Sequence, residues 1–166
     1  MNLCKVLPLV VSVILISGCA SLNHAQDSKL EEKLFGKWNC KLDLDVENVK
    51  MSFDYDVRYI RNGKSNGFGT LKLNIPDWPE MEYSISDSSN WELKDGYLIE
   101  MTEEIKLVNL SHPEFDEVLN LESMFPQNIS ESSKILVLND SLLKVKSETE
   151  GTVMSCNKIP IKSKHE

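Results

Sequence analysis

Residues 49–60 alternate with a period of two. Val49, Met51, Phe53, Tyr55, Val57 and Tyr59 are apolar or aromatic, and Lys50, Ser52, Asp54, Asp56 and Arg58 between them are polar, with Ile60 the one departure. Side chains of an extended strand point alternately to its two faces, so this segment reads as a half-buried strand, odd positions inward and even positions toward water.

The same signal recurs along the chain. Asn62-Gly63 and Asn66-Gly67 read as turns, with Gly supplying positive φ. Gly69, Leu71, Leu73 and Ile75 alternate up to Pro76, and Met81, Tyr83 and Ile85 alternate up to a loop at Ser86-Asp87-Ser88-Ser89. Trp91 and Leu93 lead into Asp95-Gly96, a strong hairpin turn. Tyr97, Ile99, Met101, Ile105 and Leu107 follow at odd spacing, with Glu103 intruding as an inward carboxylate. Ile135–Leu138 and Leu142–Val145 flank Asn139-Asp140-Ser141, and Thr152–Ile159 is the last strand. One helix interrupts the series. Ser111-His112-Pro113-Glu114 has the spacing of a capping box, Phe115, Val118, Leu119, Leu121 and Phe125 give an apolar face, and Pro126 ends it. The expected fold is mainly β, about eight or nine short antiparallel strands and one helix, arranged as a closed meander barrel or a sandwich.

The N-terminus carries an address. A short start with Lys5 is followed by an apolar run, Val6–Ile16, and then Ser17-Gly18-Cys19. Such a tripartite start is the mark of an export signal. The run covers only ~16 Å as a helix, too short for a ~30 Å hydrocarbon core. Leu15-Ile16-Ser17-Gly18-Cys19 resembles the bacterial lipobox, in which the cysteine is acylated after cleavage before it. The resemblance implies removal of residues 1–18, a diacylglyceryl group and usually a third acyl chain on Cys19, and stable anchoring, since two or more chains hold where one does not. Ala20, rather than Asp, follows Cys19, which implies the outer membrane with the domain facing the periplasm; surface display stays open. Residues 19–33 read as a lipid-anchored flexible tether with a helical end near Lys29–Leu34, residues 34–161 as a single β-rich domain and residues 162–166 as a tail.

With Cys4 in the signal and Cys19 lipidated, Cys40 and Cys156 remain in an oxidising compartment. A Cys40–Cys156 disulfide is favoured over two buried thiols or a two-ligand metal fragment, because no histidines accompany them at ligand spacing. Cys40 shares a face with Trp38, and Cys156 lies in the last strand, so the bond requires the first and last strands to meet. The chain has 18 basic and 26 acidic side chains, a net charge of −8, and loss of Lys5 with the signal makes it −9. So acidic a domain is repelled by nucleic acid and by anionic headgroups, and no nucleic-acid partner is expected.

Phe35-Gly36-Lys37-Trp38 opens the first strand, and its Gly-x-Trp resembles that of the lipocalin family and bacterial lipocalin-like domains. Trp91–Leu98 and the pair Ser133–Leu138 and Leu142–Val145 resemble hairpins common in such domains. The resemblance implies an up-and-down barrel over roughly residues 34–159, with Trp38 plugging one end. Lipocalins place an Arg late in the chain on the plug; the arginines here are Arg58 and Arg61 alone, so Lys144, Lys146 or Lys158 has to substitute. The helix also precedes the last strands instead of following the barrel.

Little points to chemistry. His24, His112 and His165 are scattered, no serine sits in a nucleophile elbow, and there is no phosphate loop or cofactor motif, so no enzyme activity and no cofactor are expected. Asp54 and Asp56 share the predicted outer face, where a solvated strand is the simpler reading than a cation site. An inward Glu103 in an apolar row would have a raised pKa. Phe53, Tyr55, Tyr59 and Glu103 are the candidate ligand-binding residues if the barrel keeps a cavity, and core packing is the competing role. Two functions follow: a lipid-anchored periplasmic binding module for a small amphipathic ligand, or a structural or regulatory envelope lipoprotein with a filled core that acts through a protein partner, as inhibitor or sensor accessory.

Overall fold

The computed structural model describes residues 20–125 and 127–160; the expected signal, Cys19, Pro126 and the C-terminal tail lie outside the described residues. A helix α1 (Ala20–Leu34) precedes β1 (Gly36–Val46), β2 (Val49–Ile60), β3 (Lys64–Asn74), β4 (Met81–Lys94) and β5 (Tyr97–Asn109). Short turns follow, Pro113–Phe115, α2 (Asp116–Leu119) and Leu121–Met124, and then β6 (Ser130–Leu138), β7 (Leu142–Ser147) and β8 (Val153–Ile159). Each strand is antiparallel to the one before it, and β8 returns to β1, so the sheet is a closed meander barrel of eight strands and the sandwich is excluded.

The local chemistry dictates these elements. In β2 every odd residue faces the interior and every even residue, Ile60 included, faces out. The β1–β2 and β4–β5 hairpins close through two residues of positive φ, Glu47-Asn48 and Asp95-Gly96. That geometry matches the right-handed twist of the flanking strands. The seam is covalent: Cys40 pairs with Cys156 across β1 and β8, with Cα atoms 3.9 Å apart and the disulfide formed.

Five sequence expectations need correction. Asn66-Gly67 is not a turn but part of β3, and Gly67 and Gly69 are there because Tyr55 lies across them; a Cβ at Gly67 would overlap the Tyr55 hydroxyl, and one at Gly69 the Asp54 carbonyl. Ser86–Ser89 is not a loop. β4 runs straight through it, with a bulge against β5 at Ser88/Ser89. The phase of the first half of β5 is also reversed: Leu98, Glu100 and Thr102 face inward, while Met101 and Glu103 are exposed. Finally, the helix is three short turns, because Asn120 adopts the left-handed conformation and ends α2. Its capping box does not form. Ser111 Oγ instead accepts from the Glu82 amide at 2.9 Å, and Asn109 Oδ1 takes the amides of Ser111 and His112 at 3.2 and 2.9 Å. Where a flexible tether is expected the chain is helical back to Ala20, and α1 caps the barrel through a two-pronged Arg61–Glu32 ion pair at 2.6 and 2.9 Å.

Two apolar clusters fill the barrel ends. At the α1 end, Trp38 is fully buried with Leu34, Val57, Trp91, Leu98 and Leu143 around it. Its indole N–H donates to the Leu34 carbonyl at 2.7 Å. Lys158 lies over the Trp38 ring, Nζ 4.8 Å from the centroid, and donates to the Lys33 carbonyl at 2.6 Å. Of Lys144, Lys146 and Lys158, it is thus Lys158 that lies on the indole. At the other end Leu71, Leu73, Met81, Tyr83 and Leu121 are buried.

The wall is uneven. β6 pairs with β5 only over Tyr97–Met101, and β8 with β1 only over Lys37–Lys41, so beyond these points the long strands β1 and β5 have no strand between them. The segment 113–125 covers that side. Phe125 packs edge-on to Phe53 at 6.5 Å, and Phe115 on Trp78 at 4.8 Å. Its base is tied by Asn109 Nδ2, which reaches Tyr83 Oη, Asp116 Oδ1 and the His112 carbonyl at 2.7–2.9 Å.

Candidate functional site: the barrel cavity

Between the two apolar clusters the interior changes character. Inward positions along β3, β4 and β5 are Ser65, Gly67 and Gly69, then Asp87 and Ser89, then Glu100 and Thr102, so small and polar side chains replace Leu and Trp. A cavity of about 200 Å³ lies here beneath Phe125, walled by Phe53 and Tyr55 on β2, Ile85 and Asp87 on β4, Thr102 and Ile105 on β5, and Met154 beside the disulfide. Its surface is almost wholly apolar apart from Asp87 and Thr102. Pockets of this kind, apolar with a few placed polar groups, are the usual form of small-ligand sites. A larger depression of about 530 Å³ over β1–β3 is open to water and lined mostly by charged outward residues such as Asp43, Lys50 and Lys72, which makes it the poorer candidate.

The polar groups are held under tension between burial and partnership. Asp87 Oδ2 accepts from Ser89 Oγ at 3.0 Å. Its Oδ1 is wholly enclosed and meets no donor at hydrogen-bonding geometry, though the nearby amide of Gly67 gives some electrostatic support. Burial raises the Asp87 pKa. Ser65 Oγ, also enclosed, has no partner either among the described residues. One step toward the α1 end, Glu100 takes a hydrogen bond from Tyr59, and burial pushes its carboxyl up to about 7, the Tyr59 bond lowering it and the charges of Asp87 and Glu131 raising it. Burial and the same carboxylate drive the Tyr59 hydroxyl well above its ordinary value.

The residues singled out from the sequence are thus divided. Phe53 and Tyr55 line the cavity. Tyr59 lies below it, edge-on to Trp91 at 5.8 Å, and reaches Glu100. Glu103 is not an interior residue: it points out and pairs with Lys64 at 2.9 Å and with Asn90 at 2.7 Å, so it has no ligand role in the barrel. Asp54 and Asp56 are held on the outer face by Lys41 and Lys37 at 2.8 Å each, with Asn39 bridging them. No cluster of three metal-ligating side chains occurs among the described residues. Asp87, Glu100, Thr102 and Ile105 are the residues that sequence reasoning missed. The available signal was the Asp95-Gly96 turn: a two-residue hairpin sets Leu93 opposite Leu98 and Trp91 opposite Glu100, which places Glu100 inside.

No model of a known protein family matches this chain, and no curated protein matches it significantly in sequence.

Proposed function

We propose that this chain is a lipid-anchored periplasmic lipoprotein of the outer membrane whose barrel binds a small amphipathic molecule without transforming it. The observation that carries the binding reading is the cavity beside Tyr55. A barrel filled throughout would leave no such space, whereas this one keeps about 200 Å³ bounded by Phe53, Tyr55, Ile105 and Phe125. An apolar void of ~150 Å³ already accepts benzene. The cavity therefore suits a single ring or short alkyl chain bearing a polar group. The only sulfur atoms of cysteine at its wall are those of the disulfide, which provides no thiol nucleophile. The anchor rests on the lipobox resemblance around Cys19.

The test is an NMR titration of the oxidised protein with 2-phenylethanol. Saturable shifts confined to residues around Tyr55, Ile105 and Met154, lost when Ile105→Trp fills the space, support the reading; an unchanged spectrum overturns it. A second reading, docking on an envelope protein, draws on the exposed Leu110, Val118 and Met124 on and beside the covering segment. It is favoured by that unchanged spectrum.

A further inference from the structure

The cavity beneath Phe125 has a charge character that its apolar lining hides. Asp87 is the one carboxylate on its wall, and no Lys, Arg or His lines it. Among the described residues none gives the buried Asp87 Oδ1 a hydrogen bond of full geometry, although the backbone amides of Gly67 and of Asp87 itself lie near enough to the carboxylate to ease its charge. An oxygen in that condition costs free energy until something donates to it. The aromatic side chains of Phe53 and Tyr55 stand on the same wall, and aromatic faces attract cations.

The approach to the cavity has the same sign. A second hollow, of about 360 Å³, opens through the low side of the wall and shares Thr102, Ile105 and Phe125 with the first. Its lining includes Glu131 and Glu150 and no basic residue. Glu131 sits opposite Glu100 in the β5–β6 pairing. Carboxylates therefore run from the mouth, Glu131 and Glu150, to the interior, Asp87 and Glu100. A cleft lined by one sign of charge concentrates ligands of the other sign.

We propose that the ligand is a small organic cation, an ammonium group carried on one aromatic ring or a short alkyl chain, with the ammonium bonded to Asp87 and the apolar part against Tyr55 and Ile105. This rests on the ligand-binding reading above and adds the chemical class. The ammonium has up to three N–H donors, enough for Asp87 Oδ1 and the Thr102 hydroxyl. An anion is repelled along the whole route, and a neutral alcohol leaves the carboxylate without a counter-charge.

Calorimetry with three probes of one shape decides it: 2-phenylethylammonium, 2-phenylethanol and phenylacetate, each titrated into the full oxidised chain at pH 7.5. The ammonium binds about tenfold or more tighter than the alcohol, as expected of a charge-assisted bond, and phenylacetate does not bind. Asp87→Asn, which keeps the shape, brings ammonium and alcohol to within about twofold of each other. A measurement on the unmodified protein guards against a variant that folds poorly. The order of affinity among the three probes on that protein, ammonium above alcohol above phenylacetate, is that measurement. Equal binding of alcohol and ammonium, or tighter binding of phenylacetate, overturns the cation while leaving the cavity a ligand site. Failure of all three probes overturns the ligand-binding reading with it.

Discussion

Tyr59 on β2 and Glu100 on β5 meet inside the barrel, the phenol donating to a carboxyl that burial holds near neutrality, at a pKa of about 7. The ordinary value is 4.5, so the folded protein binds this proton more tightly than the unfolded chain does. The stability it contributes is fully present below about pH 4.5 and is lost as pH rises through about 7, an effect of up to about 3 kcal/mol. Asp87, also raised, acts with the same sign. Glu100→Gln removes the titration. Urea unfolding at pH 5 and pH 8 is expected to show a smaller fall in stability for the variant than for the parent. Equal falls would mean that Glu100 titrates as if in water.

The Cys40–Cys156 bond joins residues 116 apart in sequence. Cross-links that close loops of this size contribute about 2–5 kcal/mol. Cys40→Ser is expected to lower the melting temperature while the β-type circular dichroism persists. Peptide mapping without reductant checks the bond itself: free alkylation of both thiols would count against it.

Gly67 and Gly69 differ in what blocks them. A Cβ at Gly67 meets the Tyr55 side chain, whereas one at Gly69 meets the β2 backbone at Asp54 and Tyr55. Gly67→Ala is therefore expected to cost about 1–3 kcal/mol and to recover most of that in a Tyr55→Ala background. Gly69→Ala should cost a similar amount and recover little. A double-mutant cycle by chemical denaturation reads the difference.

Lys158 packs its stem beside Gly36 and its ammonium over Trp38. Lys158→Met is expected to lower stability by about 1–2 kcal/mol through loss of the cation–π contact and of the bond to the Lys33 carbonyl. Lys158→Arg keeps both kinds of interaction and should stay within about 0.5 kcal/mol of the parent. Tryptophan emission follows the plug directly. No change with Met would mean that the lysine is incidental there.

The anchor is tested by mass spectrometry of membrane-associated protein. An acylated Cys19 as first residue is the expected outcome. An intact Met1, or a Cys19→Ala protein cut at the same site and released, would remove the lipoprotein reading.

What the sequence revealed tracks how cleanly each side chain serves one purpose. β2 was legible because every odd residue is apolar and every even one but Ile60 is not. The Gly-x-Trp at Gly36–Trp38 located the plug, and cysteine bookkeeping located the seam. β4 misled because its interior positions Asp87 and Ser89 have turn-forming chemistry. β5 misled for a related reason. Tyr97, Leu98 and Ile99 are apolar on both faces, so the phase was carried back from the odd row of Met101, Ile105 and Leu107, and the bulge at Ser88/Ser89 shifts the register between the two halves. The candidate site fell largely within those two misread stretches. Polar residues in the interior break the alternation on which strand assignment depends.

The order of strands around the barrel also bears on how the chain becomes a finished protein. Strands β2 to β7 each find their predecessor as they emerge, but the outer edge of β1 waits for Val153–Ile159, at the far end of the domain. That closure has the largest loop entropy of any pairing in the molecule and so comes late. A chain cut short before β8 leaves Cys40 without its partner and β1 with a bare edge, the state in which strands add to foreign neighbours. Formation of the Cys40–Cys156 bond, in which an external oxidant takes two electrons from the two thiols, therefore marks a chain that is whole through its last strand, and a free Cys40 thiol marks one that is not.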